Sequence, residues 1–522
     1  MSNPYSYSAA GGALIIAAYY YFVQRGKSRL PLPPGPKKLP LVGNLFDMPS
    51  TFEWVKYMEW SKEYNSDILH LDVAGTSIIV LSSTEAAIDL LEKRAAIYSD
   101  RARLLMVNEL MGWNFLLAFM KYGEQDHFSS APSPQWLPYT FIVYPAKLQK
   151  FRPLERKACH EVLYDFLQKP DHDVEGHFRH MAAKIVMSAA YGIDVSSDDP
   201  YVELAEKAVD GLMTAVPPGR FLVDSIPLLR YVPAWFPGAG FQRQAREWRR
   251  LALEMREKAF VVAKQQIASG KAPHSFTMDG LRMAQESENK AYNEQVVQNT
   301  AATMWTAATD TTVSALVTFV LAILSNPEAQ KKAQAEIDAM VGTDRLPDFD
   351  DEPNLPYVAA LMKESMRWMN VAPIAIPHYL SVEDEYKGYR LPANSIVVPN
   401  VWAILHDETI YPDPYSVKPE RYLLDGKLNP NIPDPDSVFG YGRRLCPGRH
   451  LANSSVWITI ASVLAAFDIS KPVDDAGEVI EPSYKYIARL VLMPLPFKCS
   501  IKPRSEKAVA LIKASINQTH TI

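Results

Sequence analysis

The sequence predicts a mainly α-helical body with small β-sheets, preceded by an N-terminal membrane helix. Three observations carry that expectation: long segments with apolar residues at helical spacing, a few short β-branched runs, and one uncharged stretch near the start. The 522 residues are 48% hydrophobic and 22% charged, which suits a chain with a large core and excludes a disordered or collagen-like one. The net charge of −5 argues against a nucleic-acid binder. Three cysteines, Cys159, Cys446 and Cys499, cannot build a disulfide framework and point to a reducing compartment.

The first element is Ser6–Val23, 18 residues without a charge, followed by a flank holding Arg25, Lys27 and Arg29. That length just spans a bilayer. The Tyr19–Tyr21 cluster suits the membrane interface, and the basic flank favours that side as cytoplasmic. Residues 1–29 therefore read as an uncleaved anchor. A cleaved signal would carry a basic n-region, which is missing. A buried helix is the remaining alternative, but it would not need a charged, proline-rich exit. Residues 30–40, with Pro33-Pro34-Gly35-Pro36, form a stiff hinge.

From 41 to 522 there is no repeat and no long linker, so the remainder reads as one domain. Helices are expected over 84–95, 146–168, 175–192, 241–268, 294–325, 327–341 and 354–369, and strands at Ser77–Leu81 and Ser395–Pro399. Pro/Gly-rich breaks fall near 131–138, 216–240 and 429–436. Glu294–Ser325 lacks Pro and Gly and would run about 48 Å. Its apolar residues cover most faces, so it should cross the protein centre. Thr309-Asp310-Thr311-Thr312 sits midway. The threonines would bond back to carbonyls and Asp310 would find a salt-bridge partner, or the acid and hydroxyls would form a proton path.

In the next helix Asn354 is the candidate N-cap, and Glu364 and Arg367 share one face. Such a pair is common by chance. With Arg421 of Lys418–Tyr422 it would make three buried charges, stable only as a hydrogen-bonded network. The strongest signal is Phe439-Gly440-Tyr441-Gly442-Arg443-Arg444-Leu445-Cys446-Pro447-Gly448. Its glycines allow a tight loop whose amides point at the sulfur, and a helix from about Arg449 to Phe467 would add its N-terminus. As chemistry this is a protected soft ligand for iron. An inert buried cysteine would leave the glycines and arginines unexplained.

These motifs resemble those of the cytochrome P450 family, the haem-thiolate monooxygenases, over roughly residues 30–500. The Met106–Trp113 pattern and the anchor look most like fungal microsomal members of the group named after the O-methylsterigmatocystin oxidoreductase. The resemblance implies the cytochrome P450 fold, with Cys446 as the axial thiolate of haem b. Phe439, Gly442 and Gly448 would shape the haem loop, and Arg444 and His378 would hold the propionates. Asp310 and Thr311 would be the acid–alcohol pair delivering protons to dioxygen. Glu364, Arg367 and Arg421 would form the structural network behind the haem. Cys159 and Cys499 match no functional position and read as packing residues. Only 74 residues follow Gly448, too few for a flavin domain. Electrons from NADPH would therefore come from a separate cytochrome P450 reductase, with cytochrome b5 as a second partner and Arg443 and Arg449 on the docking face. The anchor would place a single-pass protein in the endoplasmic reticulum membrane, facing the cytoplasm.

Two departures from the family pattern stand out. Ala308 stands where glycine is usual, and after Gly123-Glu124-Gln125 a stretch with Pro132, Pro134 and Pro138 replaces an expected helix bearing Trp and Arg. Residues 126–143 therefore read as translated intron or a wrong splice choice, with a genuine divergent loop as the alternative. The pocket walls would be Leu104–Phe119, Met304–Thr309 and Val371–Ile376, overwhelmingly apolar, with Asn108, Glu109 and Asn114 as polar exceptions. The expected substrate is a small hydrophobic aromatic, terpenoid or other secondary metabolite or xenobiotic. Two alternatives are a haem-thiolate isomerase or dehydratase and a non-catalytic product of a damaged gene.

Overall fold

The structure, a computed structural model, describes residues 30–122, 149–169, 173–196, 199–217 and 219–519. The expected anchor at 1–29 and the proline-rich departure at 126–143 lie outside the described residues. The 30–40 run is pinned to the body: Pro31 O accepts from Arg390 N, Pro34 O from His70 N and Pro36 O from Asn44 Nδ2. Only glycine fits at Gly35, because a Cβ there would overlap His70 O.

Helix α1 (Glu53–Glu63) leads into a hairpin of β1 (Ile68–Val73) and β2 (Thr76–Leu81). Ala74 and Gly75 both take positive φ, as a two-residue hairpin turn requires. β3 (His378–Tyr379), the hairpin β4 (Asp384–Tyr386)–β5 (Tyr389–Leu391) and β6 (Ile396–Pro399) follow late in the chain. The main sheet has the order β1-β2-β6-β3, and β6 runs parallel to β2 across a separation of more than 300 residues. Fully buried Ile79, Leu81 and Val397 fasten this sheet to the helices around it.

The helical layer comprises α2 (Arg152–Gln168), α3 (Val174–Tyr191), α4 (Pro200–Ala215), α5 (Gly240–Ala268), α6 (Phe276–Gln285) and α7 (Lys290–Ser325). It continues with α8 (Pro327–Met340), α9 (Pro356–Trp368), α10 (Arg449–Ala466) and α11 (Glu506–Thr519). α7 starts four residues before the expected 294, because the Asn289 side chain accepts from Tyr292 N and caps it. Its C-terminal half is buried almost all round, and the helix as a whole packs most heavily on α3. By length and composition α7 is apolar enough to cross a membrane, yet 67% of its apolar window is inside the protein. Each buried Leu or Val here contributes about 1.5–3 kcal/mol relative to exposure.

Three expectations need correction. Asn354 does not cap α9; it ends the 3-10 turn Phe349–Asn354, and Leu355 holds the cap position. The orphan amides of Tyr357 and Val358 donate instead to Glu336 of α8. Segment 84–95 is not one α-helix: Ser83 caps a turn at Thr84–Ala87 that widens to π geometry over Ile88–Lys93. Helices α1, α4, α6 and α11 were not expected, and Gly211 and Gly280 dilute the patterns of α4 and α6. Each glycine sits where a neighbour presses in, Trp248 against Gly211 and Val297 against Gly280.

Candidate active site

The loop 439–448 is built by its glycines. Gly440 has φ 84° and Gly442 φ 57°, and a Cβ at Gly442 would overlap the backbone oxygen of Leu91. Between them the chain doubles back so that Cys446 N donates to Phe439 O at 2.8 Å. The sulfur then meets the backbone N–H groups of Gly448 and Arg449, the first amides of α10. Burial pushes the Cys446 thiol up, and those two amides and the Arg449 guanidinium offset only part of the rise. The thiolate therefore needs a bound cation to become the stable form.

At one edge of this loop the structure gathers positive charge. Arg444 donates to Ser99 O (2.7 Å) and Met120 O (2.9 Å). Arg101, buried, donates to Ala118 O, Ile376 O and Pro377 O. His378 shares a 2.8 Å bond with Tyr98 O through Nδ1. Burial and the Arg444 charge push the Arg101 guanidinium down to about 9, with Asp100 opposing. Burial together with Arg101 and Arg444 holds His378 well below its usual value, so it is neutral. Two neighbouring guanidiniums, one buried and one half-buried, call for anions.

Haem fits these residues: a soft sulfur ligand flanked by amides, open space beside Gly448, and a cationic rim suited to two carboxylates. Arg101 was missed from sequence. The Ser99-Asp100-Arg101 stretch carries no pattern of its own, and its meaning comes from Arg444, 343 positions on in the chain.

Glu364, Arg367 and Arg421 come together in one network. Glu364 receives Arg367 Nε and Nη2 at 2.8 and 2.9 Å and Arg421 Nε at about 3 Å. Remaining donors go to the carbonyls of Leu405, Pro414 and Pro412. Glu364 and Arg367 are fully buried, and every charge in the set is paired.

Asp310 and Thr311 lie on α7 with partners of their own. Asp310 Oδ1 is 2.6 Å from Arg179 Nη1, and Thr311 Oγ1 donates to Ala307 O at 2.8 Å. Thr306 and Thr309 bond back in the same way, but both are buried while Thr311 is half-exposed. The three expected walls meet in one apolar cluster. Met106, Val107, Trp113, Phe115 and Phe119 pack with Trp305, while Met304, Ala308, Val371 and Ile376 line its margin. Of the polar exceptions, Asn114 is exposed, and Glu109 pairs with Arg103 and Arg230. Asn108 Nδ2 donates to Phe119 O, while its buried Oδ1 has no partner among the described residues. Phe439 is half-buried beside the sulfur loop. Cys159 is buried in the main core, and Cys499 packs at its margin. Arg443 is exposed and donates to Tyr122 OH, whereas Arg449 turns back to Cys446 O.

A family model described as Cytochrome P450 matches residues 33–501. The chain is 47% identical over 499 residues to cytochrome P450 monooxygenase 98 of Postia placenta, covering 94% of each chain. It is 40% identical over 506 residues to tryptamine 4-monooxygenase of Psilocybe cyanescens, covering 95% of this chain and 97% of that one. It is 42% identical over 500 residues to cytochrome P450 monooxygenase ple1 of Rhodocybe pseudopiperita, at 94% and 92% coverage. These likenesses are to fungal monooxygenases and lend no support to the isomerase or the non-catalytic alternative.

Proposed function

The chain belongs to the cytochrome P450 family and is a monooxygenase, and on that premise we propose that it oxygenates small, neutral, hydrophobic molecules at a membrane surface. Haem bound at Cys446 would supply dioxygen activation and one-electron chemistry. Cys446 would hold it through sulfur, with the Gly448 and Arg449 amides steadying the thiolate. Arg101, Arg444 and neutral His378 would bind its two carboxylates. Glu364, Arg367 and Arg421 would brace the loop from behind. Asp310 and Thr311 would move protons inward, with Thr311 Oγ offering the last one. Electrons would come from a separate NADPH-dependent flavoprotein reductase, and cytochrome b5 is a second candidate donor.

The observation that carries the substrate reading is the single apolar cluster made by the three wall segments. Such a wall rewards burial at about 25 cal/mol per Å² and penalises an unpaired charge. The relative from Psilocybe is named for tryptamine, whose ring would suit flat surfaces such as Trp113, Phe115 and Trp305. Its ammonium would need a free carboxylate, and the acids nearest the wall are engaged: Glu109 by Arg103 and Arg230, Asp224 by Met106 N. Neutral aromatics and terpenoids are therefore the expected class. Membrane residence is supported by the uncharged Ser6–Val23 sequence and by exposed Leu222, Ile226, Leu228, Tyr231, Trp235 and Phe236.

Cells co-expressing a reductase and fed polycyclic aromatics, stilbenes, flavonoids, terpenes and tryptamine would test this. Turnover across several neutral compounds is expected, with tryptamine a poor substrate. Turnover confined to a charged compound would contradict it.

A further inference from the structure

Glu155 of α2 is a buried carboxyl that the chemistry at Cys446 leaves unused, yet it touches the helix that carries the sulfur ligand. α10 opens with the Gly448 and Arg449 amides that meet the Cys446 sulfur. Ser455 follows Arg449 by six residues, about 9 Å along the axis. Glu155 Oε1 accepts from Ser455 Oγ at 2.7 Å, and Oε2 accepts from Ser454 Oγ at 3.1 Å. The packing continues toward the sulfur: Phe151 and Leu154 meet Leu451, one turn nearer Cys446, and Ala189 of α3. Among the described residues Glu155 makes no ion pair. Arg152, one turn earlier on α2, acts on it from a distance and is itself drawn to Asp350 at 3.7 Å. Cys159, one turn later, is its other titratable neighbour, and neither α10 nor α3 turns a charged group toward it. Two hydroxyls are few partners for a buried carboxylate. Burial lifts this carboxyl to about 7, against the pull of the serines and Arg152.

We propose that Glu155, a positioning residue acting through α10, sets the reduction potential of haem held at Cys446 and couples its reduction to uptake of a proton. The inference rests on the reading of Cys446 as the iron ligand. Its physical basis is Coulombic. An electron delivered by the reductase places one more negative charge at the start of α10. Across roughly 10–15 Å, at an effective dielectric of about 20, that charge raises a carboxyl by on the order of one pH unit. Glu155 therefore gains up to one proton as the electron arrives, so that less net charge is left buried. The proton comes from water by way of Ser454, which is half-buried, whereas Ser455 is buried. The sign follows. Ionised Glu155 opposes the incoming electron and holds the potential low, and protonated Glu155 lets it rise. The potential should fall as pH climbs through the region of the Glu155 titration and level off on either side.

Spectroelectrochemical titration of the full-length haem-loaded enzyme in lipid nanodiscs, repeated across the neutral pH range, tests this without turnover. The variants are Glu155→Gln, Glu155→Asp and Ser455→Ala, each checked first for the thiolate-type carbon monoxide band. In the wild type the potential should slope downward with pH, the slope bounded by two inflections on the order of one pH unit apart. Glu155→Gln keeps a hydrogen-bonding head without an ionisable group, so its potential should be flat and equal to the wild-type value at low pH. Glu155→Asp should bring the slope back. Ser455→Ala removes a hydroxyl that lowers the Glu155 carboxyl, so its sloping region should move to higher pH. A merely structural Glu155 would change the thermal midpoint and leave the slope in place. A flat wild-type potential, or a slope that survives in Glu155→Gln, overturns the proposal and leaves the Cys446 reading intact. If Glu155→Gln does not retain haem, Ser455→Ala decides: a slope that stays at the wild-type pH overturns the proposal. A wild type without the thiolate-type band overturns the Cys446 reading, and the proposal with it.

Discussion

On the proposed reading, Arg101 would be a burden to the bare protein and an asset to the haem-loaded one. It lies buried beside Arg444 and neutral His378, and burial with the Arg444 charge pushes its guanidinium down to about 9. Arg101→Leu should therefore raise the thermal midpoint of the haem-free chain, by relieving repulsion and desolvation. The same change should speed haem loss to an acceptor protein. A lowered haem-free midpoint, or unchanged haem retention, would contradict the carboxylate-binding role. Thr311 makes a second residue-scale case. Its hydroxyl bonds to Ala307 O yet stays half-exposed, unlike buried Thr309. Thr311→Ala should keep haem and substrate affinity while several-fold more NADPH is diverted to hydrogen peroxide. Unchanged coupling of NADPH use to product would remove Thr311 from the path.

The contact between α2 and α10 carries a pH dependence. Glu155 of α2 is 1% exposed and accepts from Ser455 Oγ at 2.7 Å and Ser454 Oγ at 3.1 Å on α10. Burial lifts its carboxyl to about 7, against the lowering pull of the two hydroxyls and Arg152. A carboxyl raised on folding favours the fold at low pH, and that advantage is lost as pH climbs through the folded value. The loss should amount to roughly 3 kcal/mol between pH 4.5 and 8. Glu155→Gln should flatten that part of the stability profile, read as thermal midpoint against pH. An equally steep profile in the variant would assign the dependence elsewhere. At this scale the limits of sequence reading are physical. The 439–448 loop was legible because its glycines mark positive φ and close approach to Leu91 O. The cap of α9 was not, because Glu336 supplies it from another helix across the fold. Likewise α7 was legible in its apolar run, but its start was hidden in Asn289, one polar residue among several.

Across the whole molecule, one body is organised around α7, with the sulfur loop, the cationic rim and the apolar walls arriving from distant parts of the chain. Sequence reading anticipated the glycine-bounded Cys446 loop, the pairing of Glu364, Arg367 and Arg421, and the apolar wall segments, because each is a local pattern. It did not recover Arg101 or Arg179 as the partner of Asp310, because those contacts arise only when folding brings together residues more than 100 positions apart. The central claim is that Cys446 in this setting is an iron ligand rather than an inert buried thiol. The reduced, carbon-monoxide-treated difference spectrum of the purified protein tests it most directly, beside Cys446→Ser. A thiolate-type band is expected in the wild type and should vanish in the serine variant, since a hydroxyl is a far weaker donor to iron. A wild-type protein with bound haem but no such band, or a serine variant that keeps it, would contradict the assignment.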